Sequence, residues 1–209
     1  MKPRYDGVLF DLLTALLDSW TLWNAVAGGE EAGRRWRAAY LRNTYGTGVY
    51  RSYETLVTEA AVEVGLPSSL AAELANRYGE LRPWPEVPAV LGALRPHVKL
   101  AVVTNCSQVL TLKAAACTGG DFAVIVSAER AGFYKPDPRP YRRALAELGL
   151  APEKCLFVAG SSYDLFGTAA VGLPTFWHDP VGMALPQGAP PPLVRHRSLA
   201  PLVECVLGN

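Results

Sequence analysis

Cysteine is scarce in this chain and is not arranged to bind a metal. The four cysteines of the 209 residues are Cys106, Cys117, Cys155 and Cys205. They form no Cys-x-x-Cys pair and have no flanking pair of histidines, so the sequence predicts neither a zinc site nor a redox couple. Reduced and mostly buried thiols are the expected state.

An excess of charge of one sign is also lacking. The 20 lysines and arginines against 19 aspartates and glutamates leave a net charge of +1. So weak a field does not favour nucleic acid or an anionic membrane as a partner, and a small molecule is expected instead. Charged residues make up only 19% of the chain and apolar residues 50%, which excludes a disordered chain.

Long hydrophobic runs are missing too. No segment approaches the ~18 apolar residues that a membrane helix needs. Residues 8–17 are largely apolar and follow Lys2 and Arg4, but Asp11 interrupts the run and no small-x-small cleavage site follows. We therefore expect a cytoplasmic protein.

Five short apolar runs are present instead, and they predict strands. They are residues 8–10, 100–104, 122–127, 155–158 and 174–177. Continuous apolar runs of this length are typical of the buried strands of a parallel sheet. Between the later runs, apolar side chains repeat at helical spacing over residues 141–148, and Gly149 follows as a C-terminal cap. This alternation predicts an α/β fold with an open parallel sheet and right-handed crossovers.

One connection is too long for a single crossover. The segment between Phe10 and Leu100 is about three times the ~30 residues of a βαβ unit. Within it, residues 52–65 carry a helical stripe, residues 69–81 can form a second helix, and prolines follow from position 83. We predict a helical domain at residues 19–85, inserted into a core formed by residues 1–18 and 86–209.

The C-terminal part of the chain is rich in proline. Residues 186–192 contain four prolines and a glycine, which predicts an irregular surface loop. A last short helix is expected at residues 199–206.

Polar residues follow several of the predicted strands, where open parallel sheets bind their ligands. These residues are Asp11, Thr104, Asn105, Lys135 and Asp164. Each alone has a structural explanation: a helix cap, a strand end, a solvated charge or a helix start. Together, in this order, they predict one site at the carboxyl edge of the sheet.

This order, with a helical insert after the first strand, resembles the haloacid dehalogenase superfamily of aspartate-nucleophile hydrolases. The most specific stretch is residues 127–138 (SAERAGFYKPDP) followed by Tyr141, which is similar to the third motif of that superfamily. Trp36-Arg37 resembles the cap segment from which 2-haloacid dehalogenases supply an arginine to the leaving halide. A solvated charge beside Arg34 and Arg35 is the alternative for Arg37. The resemblance implies a modified Rossmann core with a mobile cap.

The resemblance also implies roles. Asp11 would be the nucleophile, Lys135 would hold it ionised, and Asp164 would orient Lys135 or activate water. Asn105 and Arg37 would solvate the departing anion, and Thr104 would bind an anionic group of the substrate. The implied substrate contacts further include Leu12, Leu13, Tyr141 and Ser161.

Departures from the superfamily pattern bear on the reaction. Its phosphatases carry a general-acid aspartate where this chain has Leu13, and halide leaves without a proton. Their Mg²⁺ site draws on acidic residues where this chain has Gly160 and Ser161. We therefore expect a hydrolytic 2-haloacid dehalogenase without metal or other cofactor. A phosphatase using Mg²⁺ and a catalytically silent binding protein are the alternatives, and a homodimer stays open.

A second departure lies beside the nucleophile. The dehalogenases typically have Tyr-Gly-Thr where this chain has Leu13-Thr14-Ala15. The threonine that supports the aspartate is thus replaced by Ala15, and the hydroxyl of Thr14 is a candidate substitute.

Overall fold

The computed structural model describes residues 2–208, which form one parallel sheet surrounded by helices. The strands are β1 (Gly7–Phe10), β2 (Lys99–Thr104), β3 (Val124–Ser127), β4 (Cys155–Ala159), β5 (Thr175–His178) and β6 (Val194–His196). Their order across the sheet is β3-β2-β1-β4-β5-β6, and every neighbouring pair is parallel. The predicted α/β fold is confirmed, and β1 lies at its centre.

The helices alternate with the strands, apart from one long insertion. They are α1 (Ser19–Val26), α2 (Glu30–Thr47), α3 (Tyr53–Glu63), α4 (Ser69–Asn76), α5 (Val87–Leu94), α6 (Gln108–Cys117), α7 (Ala128–Ala131), α8 (Pro138–Leu148), α9 (Asp164–Val171) and α10 (Leu202–Leu207). A 3-10 turn over Arg77–Glu80 follows α4, and another over Pro152–Lys154 precedes β4.

Both faces of the sheet are covered at its centre, which explains why the central strands have no polar side. All four residues of β1 are buried, and alternate side chains enter two different clusters. Val8 and Phe10 pack with α5, α6, α10 and the inserted helices, whereas Leu9 packs with α8 on the other face. Alternation of side chains along a strand produces this division.

Helix α8 illustrates how local sequence fixes an element. The Asp137 carboxylate accepts a hydrogen bond from the Arg139 amide (2.9 Å), and Pro138 occupies the first turn, where its missing N–H costs nothing. At the other end Gly149 adopts φ +66°, as a C-terminal cap requires. The helix thus begins and ends where its capping residues allow.

Helices α1 to α4 all lie between β1 and α5. Their centre is aromatic: the rings of Trp23 and Trp36 are 4.6 Å apart, and the Trp36 indole donates to the Val57 carbonyl (2.9 Å). Helices α1 and α2 cross closely at Gly33, where a Cβ would come within 2.6 Å of the Asn24 Cα. The apolar pattern did not predict the long helix α2. It is the central helix of the insert.

Several contacts join the inserted helices to the sheet. Leu17 pairs with Pro83 and Val49 pairs with Phe133, each through an isolated antiparallel bridge. The Ser107 hydroxyl also donates to the Glu54 carboxylate (2.6 Å). These contacts place the insert over the carboxyl edge of the sheet.

The C-terminal part differs from its prediction. Strand β6 adds an edge to the sheet after the proline-rich loop, and its short sequence carries no alternating pattern that would reveal it. The last helix begins at Leu202 rather than at residue 199. Across residues 2–208, no helix is both long and apolar enough to cross a bilayer.

Candidate active site

Asp11 lies directly after the central strand, at the start of a π-helical turn. The turn covers Leu12–Leu16, and the Asp11 carboxylate caps it by accepting from the amides of Thr14 (3.0 Å) and Ala15 (3.3 Å). Gly160, at the end of β4, presses against this turn, since a Cβ there would lie 2.1 Å from the Ala15 nitrogen. A glycine is therefore required for the two loops to meet.

Lys135 joins two carboxylates that are far apart in the sequence. Its Nζ lies 2.9 Å from Asp11 Oδ1 and 2.9 Å from Asp164 Oδ1. The Tyr141 hydroxyl donates to the same oxygen of Asp164 at 2.6 Å. All four side chains are almost completely buried, so the charges interact with little screening by water.

These surroundings separate the pKa values of the two carboxyl groups. Burial by itself raises the pKa of Asp11, but the Lys135 charge and the hydrogen bonds of Thr14 outweigh it and hold that pKa below its ordinary value. Burial raises the pKa of Asp164, the Lys135 charge lowers it in part, and the Asp11 charge raises it further. Burial lowers the pKa of Lys135, but the two carboxylates reverse the shift and raise it.

The loop that carries Lys135 is fixed to the end of β2. Asn105 accepts from the Lys135 amide (2.7 Å) and donates to the Lys135 carbonyl (2.9 Å). The Tyr40 hydroxyl, from the insert, donates to the Asn105 carbonyl (2.9 Å). Asn105 thus aligns the lysine loop as well as facing the cavity.

Arg37 is a buried charge that forms no ion pair with any residue from 2 to 208. Its side chain extends from α2 into the cavity, only 3% of the residue is exposed, and its guanidinium carbon lies 4.4 Å above the Trp20 ring. Within residues 2–208, its Nε and Nη1 make no hydrogen bond. Burial lowers the pKa of the guanidinium, and nearby tyrosines and Asp11 oppose this shift. The solvated alternative for Arg37 is therefore wrong.

These groups share one cavity between the insert and the sheet. It is lined by Asp11, Leu13, Thr14, Trp20, Arg37, Tyr40, Leu41, Thr44, Tyr45, Thr104, Asn105, Lys135, Ser161, Tyr163, Asp164 and Met183. Eight of the ten residues expected from the sequence lie in this lining. The side chain of Leu12 instead lies in the hydrophobic core, and Tyr141 lies behind Asp164. The structure thus corrects the expectation of a substrate contact for these two.

Other lining residues were not among the ten site residues predicted from the sequence. Four of them lie on α2 and follow Arg37 at helical spacing: Tyr40, Leu41, Thr44 and Tyr45. Had α2 been predicted, this spacing would have placed them on the same helix face as Arg37. Met183 comes from the loop after β5, and no sequence signal placed it there.

The donor set does not suit a divalent cation. Throughout the described part of the chain, no three His, Cys, Asp or Glu side chains converge as such a site requires. The two carboxylates that face the cavity already share the Lys135 ammonium, and Leu13 adds an apolar wall beside them. Mg²⁺ needs several oxygen ligands, so these residues do not fit it.

Comparisons with known proteins agree with this architecture. A family model described as haloacid dehalogenase-like hydrolase matches residues 5–172. Haloacetate dehalogenase H-2 of Moraxella sp. (strain B) is 26% identical over 200 residues, which cover 87% of this chain and 88% of that protein. (S)-2-haloacid dehalogenase 1 of Pseudomonas sp. (strain CBS-3) is 28% identical over 184 residues, covering 81% and 79%.

A solved structure extends the likeness to the fold. It is that of L-2-haloacid dehalogenase from Xanthobacter autotrophicus with chloropropionic acid covalently bound. It matches with a TM-score of 0.86 at 21% identity, covering 96% of this chain and 97% of that chain. At this identity the match establishes a common fold.

Proposed function

The chain belongs to the haloacid dehalogenase-like hydrolases, and we propose that it is a hydrolytic dehalogenase acting on a small 2-haloalkanoic acid. The observation that carries this proposal is the buried guanidinium of Arg37, which has no counter-ion among the described residues and shares a cavity with the ionised Asp11. A buried cation of this kind calls for an anion that arrives with the substrate or leaves from it. The relatives named for haloacetate and 2-haloacids support the same substrate class.

Asp11 acts as the nucleophile. Its lowered pKa keeps the carboxylate ionised, and Lys135 with the turn amides fixes its orientation. Attack on the carbon that bears the halogen inverts that carbon and forms an ester. Holding nucleophile and substrate in one cavity lowers the entropic cost of this step.

The halide leaves as an anion and needs no proton. Arg37 offers two nitrogens, Nε and Nη1, that have no hydrogen-bond partner within residues 2–208, and Asn105 supplies a further polar group. The Thr104 hydroxyl is also buried and makes no hydrogen bond within residues 2–208, so it can bind the substrate carboxylate. Leu13 is compatible with this chemistry, whereas an alkoxide leaving group would require an acid near that position.

Water then regenerates Asp11. The raised pKa of Asp164 makes its carboxylate a better proton acceptor than an ordinary aspartate, and Tyr141 and Lys135 hold it in place. Ser161, Tyr163 and Met183 complete the wall of the cavity. We assign residues 19–85 as the cap, and residues 1–18 and 86–209 as the catalytic core.

The test compares two assays on the purified protein. Halide release from 2-chloropropionate and chloroacetate is followed beside phosphate release from small phosphate esters, each with and without Mg²⁺. The proposal requires halide release that does not depend on Mg²⁺. Phosphate release alone would contradict it, and failure of both assays would favour a binding protein.

A further inference from the structure

The two carboxylate oxygens of Asp11 have different partners. Oδ2 accepts from the Thr14 amide (3.0 Å), the Thr14 hydroxyl (2.6 Å) and the Ala15 amide (3.3 Å). Oδ1, among the residues that the structure describes, accepts from Lys135 Nζ alone (2.9 Å). Oδ1 therefore keeps a lone pair free for bond formation, whereas Oδ2 is already surrounded by donors.

The π-helical turn brings the Thr14 hydroxyl to this oxygen. The turn is wider than an α-helical one and closes through a hydrogen bond from the Leu17 amide to the Leu12 carbonyl (3.0 Å). The Trp84 indole donates a hydrogen bond to the Thr14 carbonyl (2.9 Å). Gly160 contacts the turn from β4, where a Cβ would lie 2.4 Å from Thr14 Oγ1. Thr14 is thus fixed from two sides before any substrate binds.

We propose that Oδ1 is the attacking oxygen and that Oδ2 is held in an oxyanion hole, with Thr14 as a catalytic residue of ester hydrolysis. This inference rests on the dehalogenase function proposed above. After the halide leaves, Oδ2 is the carbonyl oxygen of the ester, and the three donors already point at it. Donors placed before the reaction stabilise the charge that develops there without reorganisation.

The reaction has two steps, ester formation and ester hydrolysis, and Thr14 matters chiefly for the second. In the first, an Oδ1 lone pair forms the bond to carbon and the halide departs with the bonding electrons. In the second, water adds to Cγ, and the carbonyl electron pair moves onto Oδ2. Collapse restores the carbonyl and breaks the bond from Cγ to Oδ1, which becomes the product hydroxyl. One proton of the water ends on that hydroxyl, and the other leaves through Asp164 to solvent.

The test separates the two steps in the variants Thr14→Val and Thr14→Ser. Valine keeps the shape but removes the hydroxyl, and serine restores it. For Thr14→Val we expect a normal initial burst of halide from 2-chloropropionate, followed by ester hydrolysis slowed on the order of a hundredfold. The intact protein should then carry the mass of the ester on Asp11. Thr14→Ser should restore hydrolysis without accumulation of the ester.

Thr111→Val is the matched control. Its hydroxyl is equally buried and donates to the Ser107 carbonyl (2.7 Å), outside the cavity lining. If Thr14→Val slows halide release and ester hydrolysis equally, or leaves both unchanged, the oxyanion assignment is wrong while the dehalogenase function stands. If the wild-type protein releases no halide, the proposed function fails and the inference fails with it. Thermal melting of each variant confirms that the folded protein is being assayed.

Discussion

Asp11 and Asp164 share a single cation, because Oδ1 of each carboxylate lies 2.9 Å from Nζ of Lys135. The other surroundings of the two carboxylates differ, so their pKa values shift in opposite directions. At Asp11 burial raises the pKa, but the Lys135 charge and the hydrogen bonds from Thr14 outweigh it and lower the pKa, whereas at Asp164 burial and the neighbouring Asp11 charge outweigh Lys135 and raise the pKa. Two carboxylates with diverging pKa values can take the two roles of nucleophile and base.

Removal of Lys135 should cost both stability and activity. Lys135→Met leaves two buried carboxylates without their cation, and breaking a buried pair in this way costs about 3–5 kcal/mol. Urea unfolding measures the free energy of unfolding. Lys113→Met, at an exposed position on α6, is the control and should unfold like the wild type. Equal stability of the two variants would contradict the structural role of the Lys135 bridge.

Asp11→Asn should abolish halide release while preserving the fold, because an amide of similar shape is a far weaker nucleophile. Halide assays and circular dichroism on the variant test both halves. A single turnover of the wild type in heavy-oxygen water, with enzyme in excess, should leave the product unlabelled, since its new oxygen comes from Asp11. A labelled product would point to direct attack by water.

Chelation should leave activity unchanged, because the two carboxylates that face the cavity already share the Lys135 ammonium and, within residues 2–208, no third acidic side chain joins them. The assay is halide release before and after EDTA. Leu13→Asp should not create an efficient phosphatase, because the new acid would lack a metal shell. At most, it should yield a fraction of the ~10²–10⁴-fold available from general acid catalysis. Activity lost on chelation and restored by Mg²⁺ would favour the phosphatase instead.

Protonation of His178 should destabilise the fold. The buried ring lies 2.8 Å from the Ala15 carbonyl through Nδ1, and burial lowers its pKa although this hydrogen bond opposes the shift. The unfolded chain, with a histidine pKa of about 6.5, then binds a proton that the folded chain does not. Stability is therefore complete above that pH and falls as the pH drops, by at most about 1.4 kcal/mol per pH unit.

Unfolding of His178→Gln between pH 7 and pH 5.5 measures this contribution. The variant should lose part of the pH dependence of the wild type, because glutamine has no proton to gain. His97→Gln, at an exposed position, should keep it. An identical pH dependence in wild type and His178→Gln would show that the buried imidazole is not responsible.

The first five strands could be predicted from local sequence because they are covered on both faces. Such strands must be apolar throughout, so runs such as 155–158 were visible, and β4 covers Cys155–Ala159. Strand β6 could not be found in this way, because Val194 is partly buried and the two residues after it are exposed. An edge strand makes fewer apolar contacts, so its sequence needs fewer apolar residues.

The site was only partly predictable, for a similar reason. Asp11, Lys135 and Asp164 were marked by their places beside strands and by a motif resemblance. Tyr40 and Met183 reach the cavity only because α2 and the loop after β5 fold over the sheet. Which partner each side chain meets depends on packing between distant segments.

By itself, the sequence determined the α/β fold, the presence of a helical insert and the chemical types of the main polar groups. These depend on local patterns of apolar side chains, caps and prolines. Tertiary structure alone decided that Arg37 is buried with no counter-ion among residues 2–208 and that one ammonium, on Lys135, bridges two carboxylates. Such contacts are settled by Coulomb forces and close packing over a few ångströms, between residues that the chain separates by as many as 124 positions.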